Sequence, residues 1–97
     1  MSAAARLSNL TKNVRELRLH FCQTSPASQG LRDFVSKNYL GMKKANPSLP
    51  ILIREASGIE AKAYARFEKG VERNSILSNL SEEQVADRLA QLTASSK

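Results

Sequence analysis

Cys22 is the residue best placed for chemistry in this 97-residue chain. It falls where a strand is expected to end and just ahead of an expected helix start, so helix amides and the helix dipole would favour its thiolate. Three residues on, Ser25 stands where a second thiol would resolve a disulfide, and Cys22-Gln23-Thr24-Ser25 has the form of a monothiol CxxS redox site. A lone Cys followed three residues later by Ser is a common pattern, and an inert buried thiol is its commoner meaning. His20, two residues earlier, would be the base of a Cys/His dyad. No third group is apparent to orient it, and a histidine on a half-exposed strand more often meets a hydrogen-bond partner or another protein.

Other chemistry is poorly represented. One Cys and one His fall short of the four ligands of a structural zinc site, and one Cys cannot close an internal disulfide. Gly30, Gly41, Gly58 and Gly70 do not have GxGxxG or P-loop spacing. Glu82, Glu83 and Asp87 are better explained as helix-start charges than as an acid/base pair. Arg6, Lys12, Arg15, Arg18, Arg32, Lys43 and Lys44 could meet phosphates, but stacking aromatics are scarce and no RNP-like or KH-like motif is present, so nucleic acid is not the expected partner.

The elements that position these residues can be read from hydrophobic periodicity. Residues 14–21, VRELRLHF, put Leu17, Leu19 and Phe21 on one side and Glu16, Arg18 and His20 on the other, the period-two pattern of a strand. Ser25 is a good N-cap and Pro26 suits a first helical position. Leu31, Phe34, Val35, Tyr39 and Met42 then recur at helical spacing, with Lys43 and Lys44 in the last turn and Asn46-Pro47 as the stop. Ile51-Leu52-Ile53 after Pro50 reads as a second strand, parallel to the first through a right-handed crossover. Residues 63–67 alternate again, and with residues 73–77 they form a β-hairpin, a helix over 59–67 being the competitor. Ser81-Glu82-Glu83-Gln84 is a capping box, with Leu80 and Val85 as its staple and Val85, Leu89 and Leu92 as its stripe.

The order β-α-β then β-β-α predicts an α/β fold with a four-stranded mixed sheet and helices on at least one face. This is a thioredoxin-like core whose middle helix is shortened or missing; a split βαβ sandwich is the alternative topology. In the former, Arg18 and His20 point to the uncovered sheet face, where Tyr64 and Arg66 are expected to join them as partner-binding residues. Arg and Tyr simply reaching solvent is an equal reading of that pattern.

Composition bounds the rest. Fifteen Lys and Arg against nine acids give +6, and 41% apolar content suits one small globular domain. Residues 1–54 hold nine basic residues and two acids, while residues 55–97 hold six and seven, so the excess lies in the first half. A basic half fits nucleic acid, an anionic membrane surface or an acidic protein. The longest apolar run, Ile51 to Ile53, is far below the roughly 20 residues of a membrane helix, so no direct membrane insertion is expected. No signal-peptide apolar region is present, which argues against secretion. Residues 1–13 are expected to be a flexible N-terminal segment, compositionally like a mitochondrial targeting sequence, and residues 14–97 a single domain.

Four stretches carry a family resemblance: LRLHFCQTSPASQGLRDFV over 17–35, KKANPSLPILIREAS over 43–57, AYARFEKGVE over 63–72 and LSEEQV over 80–85. Together they resemble the thioredoxin-like accessory subunits of mitochondrial respiratory complex I, the alpha subcomplex subunit 2 family of NADH:ubiquinone oxidoreductase. The resemblance implies a non-catalytic subunit without a cofactor of its own, on the matrix side of the mitochondrial inner membrane. Its implied partners are the large iron–sulfur subunit and other subunits of the peripheral arm of this electron-transport enzyme. Mitochondrial ribosomal proteins of the same domain family are the runner-up, and a monothiol redox protein using Cys22 is the third reading. Animal members carry a second cysteine after the Arg-Glu of the ILIRE strand that can pair with the loop cysteine. Ala56 stands there in this chain, and the hairpin region lacks the thioredoxin proline. Cys22 and Ser25 are therefore expected to be vestigial as a redox pair.

Overall fold

The computed structural model describes Leu7 and residues 10–94. Strand β1 spans Val14–Phe21, as its alternation predicts, with Val14, Leu17, Leu19 and Phe21 buried. The chain then turns through a 3-10 segment, Pro26–Ser28, before helix α1, Gln29–Ala45. Ser25 caps that segment, its Oγ accepting from the Ala27 N–H at 3.2 Å. The expected cap and proline thus start a tight turn, and the α-helix proper begins three residues later. Leu31, Phe34, Asn38 and Met42 face inward from α1 at helical spacing, and Lys43 and Lys44 occupy its last turn.

Strand β2, Ile51–Glu55, pairs with β1 in parallel, Leu17 opposite Ile51 and His20 opposite Arg54. Residues 56–61 carry no helix, so the middle helix of the expected core is missing. Strands β3, Lys62–Phe67, and β4, Glu72–Ile76, form the expected hairpin, and the competing helix over 59–67 does not form. The second hairpin strand begins and ends one residue earlier than predicted. Its turn is a short 3-10 segment, Glu68–Gly70, in which Lys69 and Gly70 both take positive φ, 62° and 75°. Helix α2, Glu82–Thr93, carries the capping box in both directions: Gln84 N–H to Ser81 Oγ at 3.2 Å and Ser81 N–H to Gln84 Oε1 at 2.9 Å.

The sheet order is β2-β1-β3-β4, with β3 antiparallel to both neighbours. A split βαβ sandwich would need a strand between the two parallel ones, and here β1 and β2 are bonded directly. Because Leu17, Leu19, Ala63, Ala65 and Ile51 all turn to one face, both helices pack there and against each other. Val85, Leu89 and Leu92 dock α2, each contributing about 1.5–3 kcal/mol of apolar burial. At the helix junction Gly30 lies so close to the Leu80 carbonyl that an ideal Cβ would stand 1.9 Å from its oxygen.

The core reaches back past Val14. Part of the N-terminal segment expected to be flexible lies outside the described residues, but Leu7 and Leu10 are 2% and 5% exposed. Asn46, itself buried, accepts the Leu10 N–H at 3.0 Å and donates to the Leu7 carbonyl at 3.1 Å and the Met42 carbonyl at 2.9 Å. The residue expected only to stop α1 therefore also satisfies buried backbone of the preceding segment.

Candidate functional site

Cys22 follows the last residue of β1 and is 3% exposed. Its Sγ accepts the Gly58 N–H at 3.3 Å and lies 3.8 Å from Thr24 Oγ1. Amides of Thr24, Gly58 and Ser25, in that order of effect, favour the thiolate, burial opposes them, and the thiol is lowered to about 7. The stabilising amides thus come from the loop after β1 and from the β2–β3 connection, where Gly58 holds φ 77°. Arg32 locks the loop, donating to the carbonyls of Cys22 at 2.9 Å and Ser25 at 2.7 Å. Ser28 Oγ accepts the Cys22 N–H at 3.1 Å. Ser25 Oγ is engaged as a cap, not with the thiol. His20 has its own neighbour, Tyr64, with ring centroids 5.0 Å apart, so thiol and imidazole have separate partners.

Among the described residues no helix lies on the opposite sheet face. Register fixes its rows. Arg54, His20, Lys62 and Ile76 lie across the sheet in one row, then Leu52, Arg18, Tyr64 and Asn74, then Glu16, Arg66 and Glu72. Tyr64 sits centrally, with the Arg18 guanidinium 5.0 Å and the Lys62 ammonium 5.5 Å from its ring centroid. Such cation–π contacts contribute about 0.5–1 kcal/mol at exposed sites. Arg18 pairs with Glu72 at 2.5 Å and Arg66 with Glu16 at 3.0 Å. Leu52 and Ile76 are 49% and 51% exposed on this face. Burial, then Arg18, Arg54 and Lys62, lower His20 from its ordinary value.

The structure therefore brings Arg18, His20, Tyr64 and Arg66 onto one open face. Sequence reasoning missed Arg54, Lys62, Leu52 and Ile76, which join them through strand register. Among the described residues no group of His, Cys, Asp and Glu could hold a metal ion, and no helix is long and apolar enough to cross a membrane.

The sequence is similar to known proteins along most of its length. Residues 31–82 match the family model of the mitochondrial ribosomal protein L51 / S25 / CI-B8 domain. The chain is 48% identical over 84 residues, 87% of its length and 85% of the relative's, to mouse NADH dehydrogenase [ubiquinone] 1 alpha subcomplex subunit 2. The Arabidopsis thaliana protein of the same name is 47% identical over 90% of both chains. A Neurospora crassa relative, the NADH-ubiquinone oxidoreductase 10.5 kDa subunit, is 47% identical over 84% of this chain and 86% of its own.

Proposed function

Since the chain belongs to the L51 / S25 / CI-B8 domain family and, within it, to the alpha subcomplex subunit 2 group of NADH dehydrogenase [ubiquinone], we propose that it is a non-catalytic accessory subunit of mitochondrial complex I. It stabilises or assembles the matrix-facing peripheral arm by binding the large iron–sulfur subunit. The observation that carries this reading is identity near one half over almost the whole chain in animal, plant and fungal relatives, with their lengths matched. In this reading the helix-free sheet face is the contact surface, with Arg18, His20, Tyr64 and Arg66 among the contacting side chains. A sheet with one face covered and the other rich in paired and unpaired charge suits a partner that supplies the missing layer. Cys22 and Ser25 are the remnant of a thiol site, since Ser25 Oγ is spent on a cap.

The test is deletion of the gene followed by native gels of mitochondria in mild detergent. Loss or reduction of assembled complex I, restored by the wild-type chain, is expected. Normal amount, assembly and activity in the deletant would refute it.

The ribosomal reading is favoured by one observation, the family model that the chain shares with L51 and S25. It predicts co-migration with ribosomal RNA and steep salt-dependent RNA affinity, and absence of binding at low salt would end it.

A further inference from the structure

The open face treats its cations in two ways. Arg18 and Arg66 each have a carboxylate on the same face, Glu72 and Glu16. The row above them does not. His20 stands opposite Arg54 on β2 and opposite Lys62 on β3, so three adjacent strands align three basic side chains. With strands about 4.8 Å apart, the outer two backbones are roughly 10 Å apart. Among the described residues no carboxylate pairs with Arg54 or Lys62; Lys62 leans on the Tyr64 ring. Like charges directly opposite on neighbouring strands destabilise a sheet. The fold tolerates in this row what it has neutralised in the rows beside it.

We infer that the cross-strand row Arg54, His20 and Lys62 is a carboxylate seat that receives an acidic segment of the partner protein, with Leu52 and Ile76 gripping apolar side chains on either side. This deepens the accessory-subunit reading and rests on it. An Asp or Glu side chain lowered onto the row would meet a guanidinium, an imidazole and an ammonium at once, the charge-assisted arrangement that fixes register in a polar interface. Leu52 lies in the neighbouring row on β2, and Ile76 ends the same row on β4, so apolar contacts flank the basic row at both edges of the sheet. A protein segment fits better than RNA. Glu16 and Glu72 already occupy Arg66 and Arg18, so the face offers a phosphate chain one short basic row and not a continuous track, and the Tyr64 ring is already faced by Arg18 and Lys62. Burial first, and then the positive charges of Arg18, Arg54 and Lys62, disfavour the imidazolium of His20. A docked carboxylate offsets part of that positive field and favours the protonated form of His20.

The full chain and its variants are expressed in cells lacking their own copy, and incorporation into NADH dehydrogenase is read on native gels. Arg54→Glu with Lys62→Glu is expected to reduce incorporation at least tenfold. Arg54→Gln with Lys62→Gln, which adds no new charge, is expected to reduce it severalfold, and guards against loss through misfolding. Arg88→Glu, an exposed change on α2, is expected to incorporate like wild type. Wild-type levels for both row variants, beside a co-migrating wild-type chain, would overturn the seat and leave the accessory-subunit reading standing. An equal loss in Arg88→Glu would reduce the effect to net charge and also overturn it. A wild-type chain that does not co-migrate would overturn the reading beneath it. Tight binding of the free chain to a labelled 20-nucleotide RNA, abolished in the row variants, would assign the row to nucleic acid instead.

Discussion

Substituting Gly30 by Ala should be among the most damaging single-methyl changes in this chain. An ideal Cβ at Gly30 would stand 1.9 Å from the Leu80 carbonyl oxygen, 2.9 Å from the Leu80 carbonyl carbon and 3.0 Å from that of Ser81. A comfortable contact is roughly 3.5 Å, so the two backbones must part by about 1.5 Å. All three atoms are main chain, and no rotamer change can relieve them. In an open helix the same change would stabilise by about 1 kcal/mol. Against that stands overpacking, about 1–3 kcal/mol and sometimes more. The atoms displaced also set up the capping box of α2 and the docking of Val85, so the upper end of that range applies. The net expectation is a loss of about 2 kcal/mol, or roughly 8–16 °C in Tm for a domain of this size. Urea and thermal unfolding of the purified chain by far-ultraviolet circular dichroism measures it. Gly41→Ala, at an exposed position of the same helix, is the control and should be neutral or stabilising. A Gly30→Ala chain as stable as wild type would refute the close-approach argument.

Three further expectations concern the polar groups. Asn46→Ala should cost about 2–3 kcal/mol, because it strips partners from the buried Leu10 N–H and the Leu7 carbonyl; faster proteolytic cleavage before Val14 and a lower urea midpoint would register it. Thiolate absorbance at 240 nm should give Cys22 a midpoint of about 7, below the 9.0 of an ordinary thiol, and Thr24→Val should move it upward. Because the folded value is depressed, the thiolate's contribution to stability is complete above 9.0 and lost as pH falls through about 7. Wild type should therefore gain stability relative to Cys22→Ser as pH rises across that window. His20, the only histidine, is lowered from 6.5 in the free chain, so the folded state binds protons less readily than the unfolded one and stability falls as pH drops below 6.5. Imidazole NMR signals of the histidine-labelled chain should titrate below 6.5, and a midpoint above it would contradict the positive field.

The parts of the fold legible in the sequence were those with a local physical signature. Leu17, Leu19 and Phe21 against Glu16, Arg18 and His20 fixed β1 to the residue, and the Ser81–Gln84 box fixed the start of α2. The hairpin slipped by one because the turn closes through two residues of positive φ, of which only Gly70 advertises the conformation. Leu7 and Leu10 gave no periodicity among Ser, Ala and Asn, and their burial depends on an amide 36 and 39 positions away. Cys22 was singled out as a candidate thiolate beside the commoner reading of an inert buried thiol, and the Gly58 amide that reaches it from 36 residues on is invisible without the β1–β2 pairing. The same holds for Arg54 and Lys62. Each is an unremarkable basic residue until register sets it beside His20.

Asn13 donates from its side chain to the carbonyl of Ala94 at 2.9 Å, a contact spanning 81 positions. The beginning and end of the fold are thus stitched together, and sequence-distant pairings of this kind slow folding. A chain emerging N-terminus first, whether from a ribosome or through a translocation pore, presents Asn13 long before its partner carbonyl on Ala94 exists. Vectorial synthesis and this closure run against each other. The interval before the last helix arrives is when the chain most needs a chaperone, and truncation within α2 should cost solubility of the whole domain rather than order in one helix.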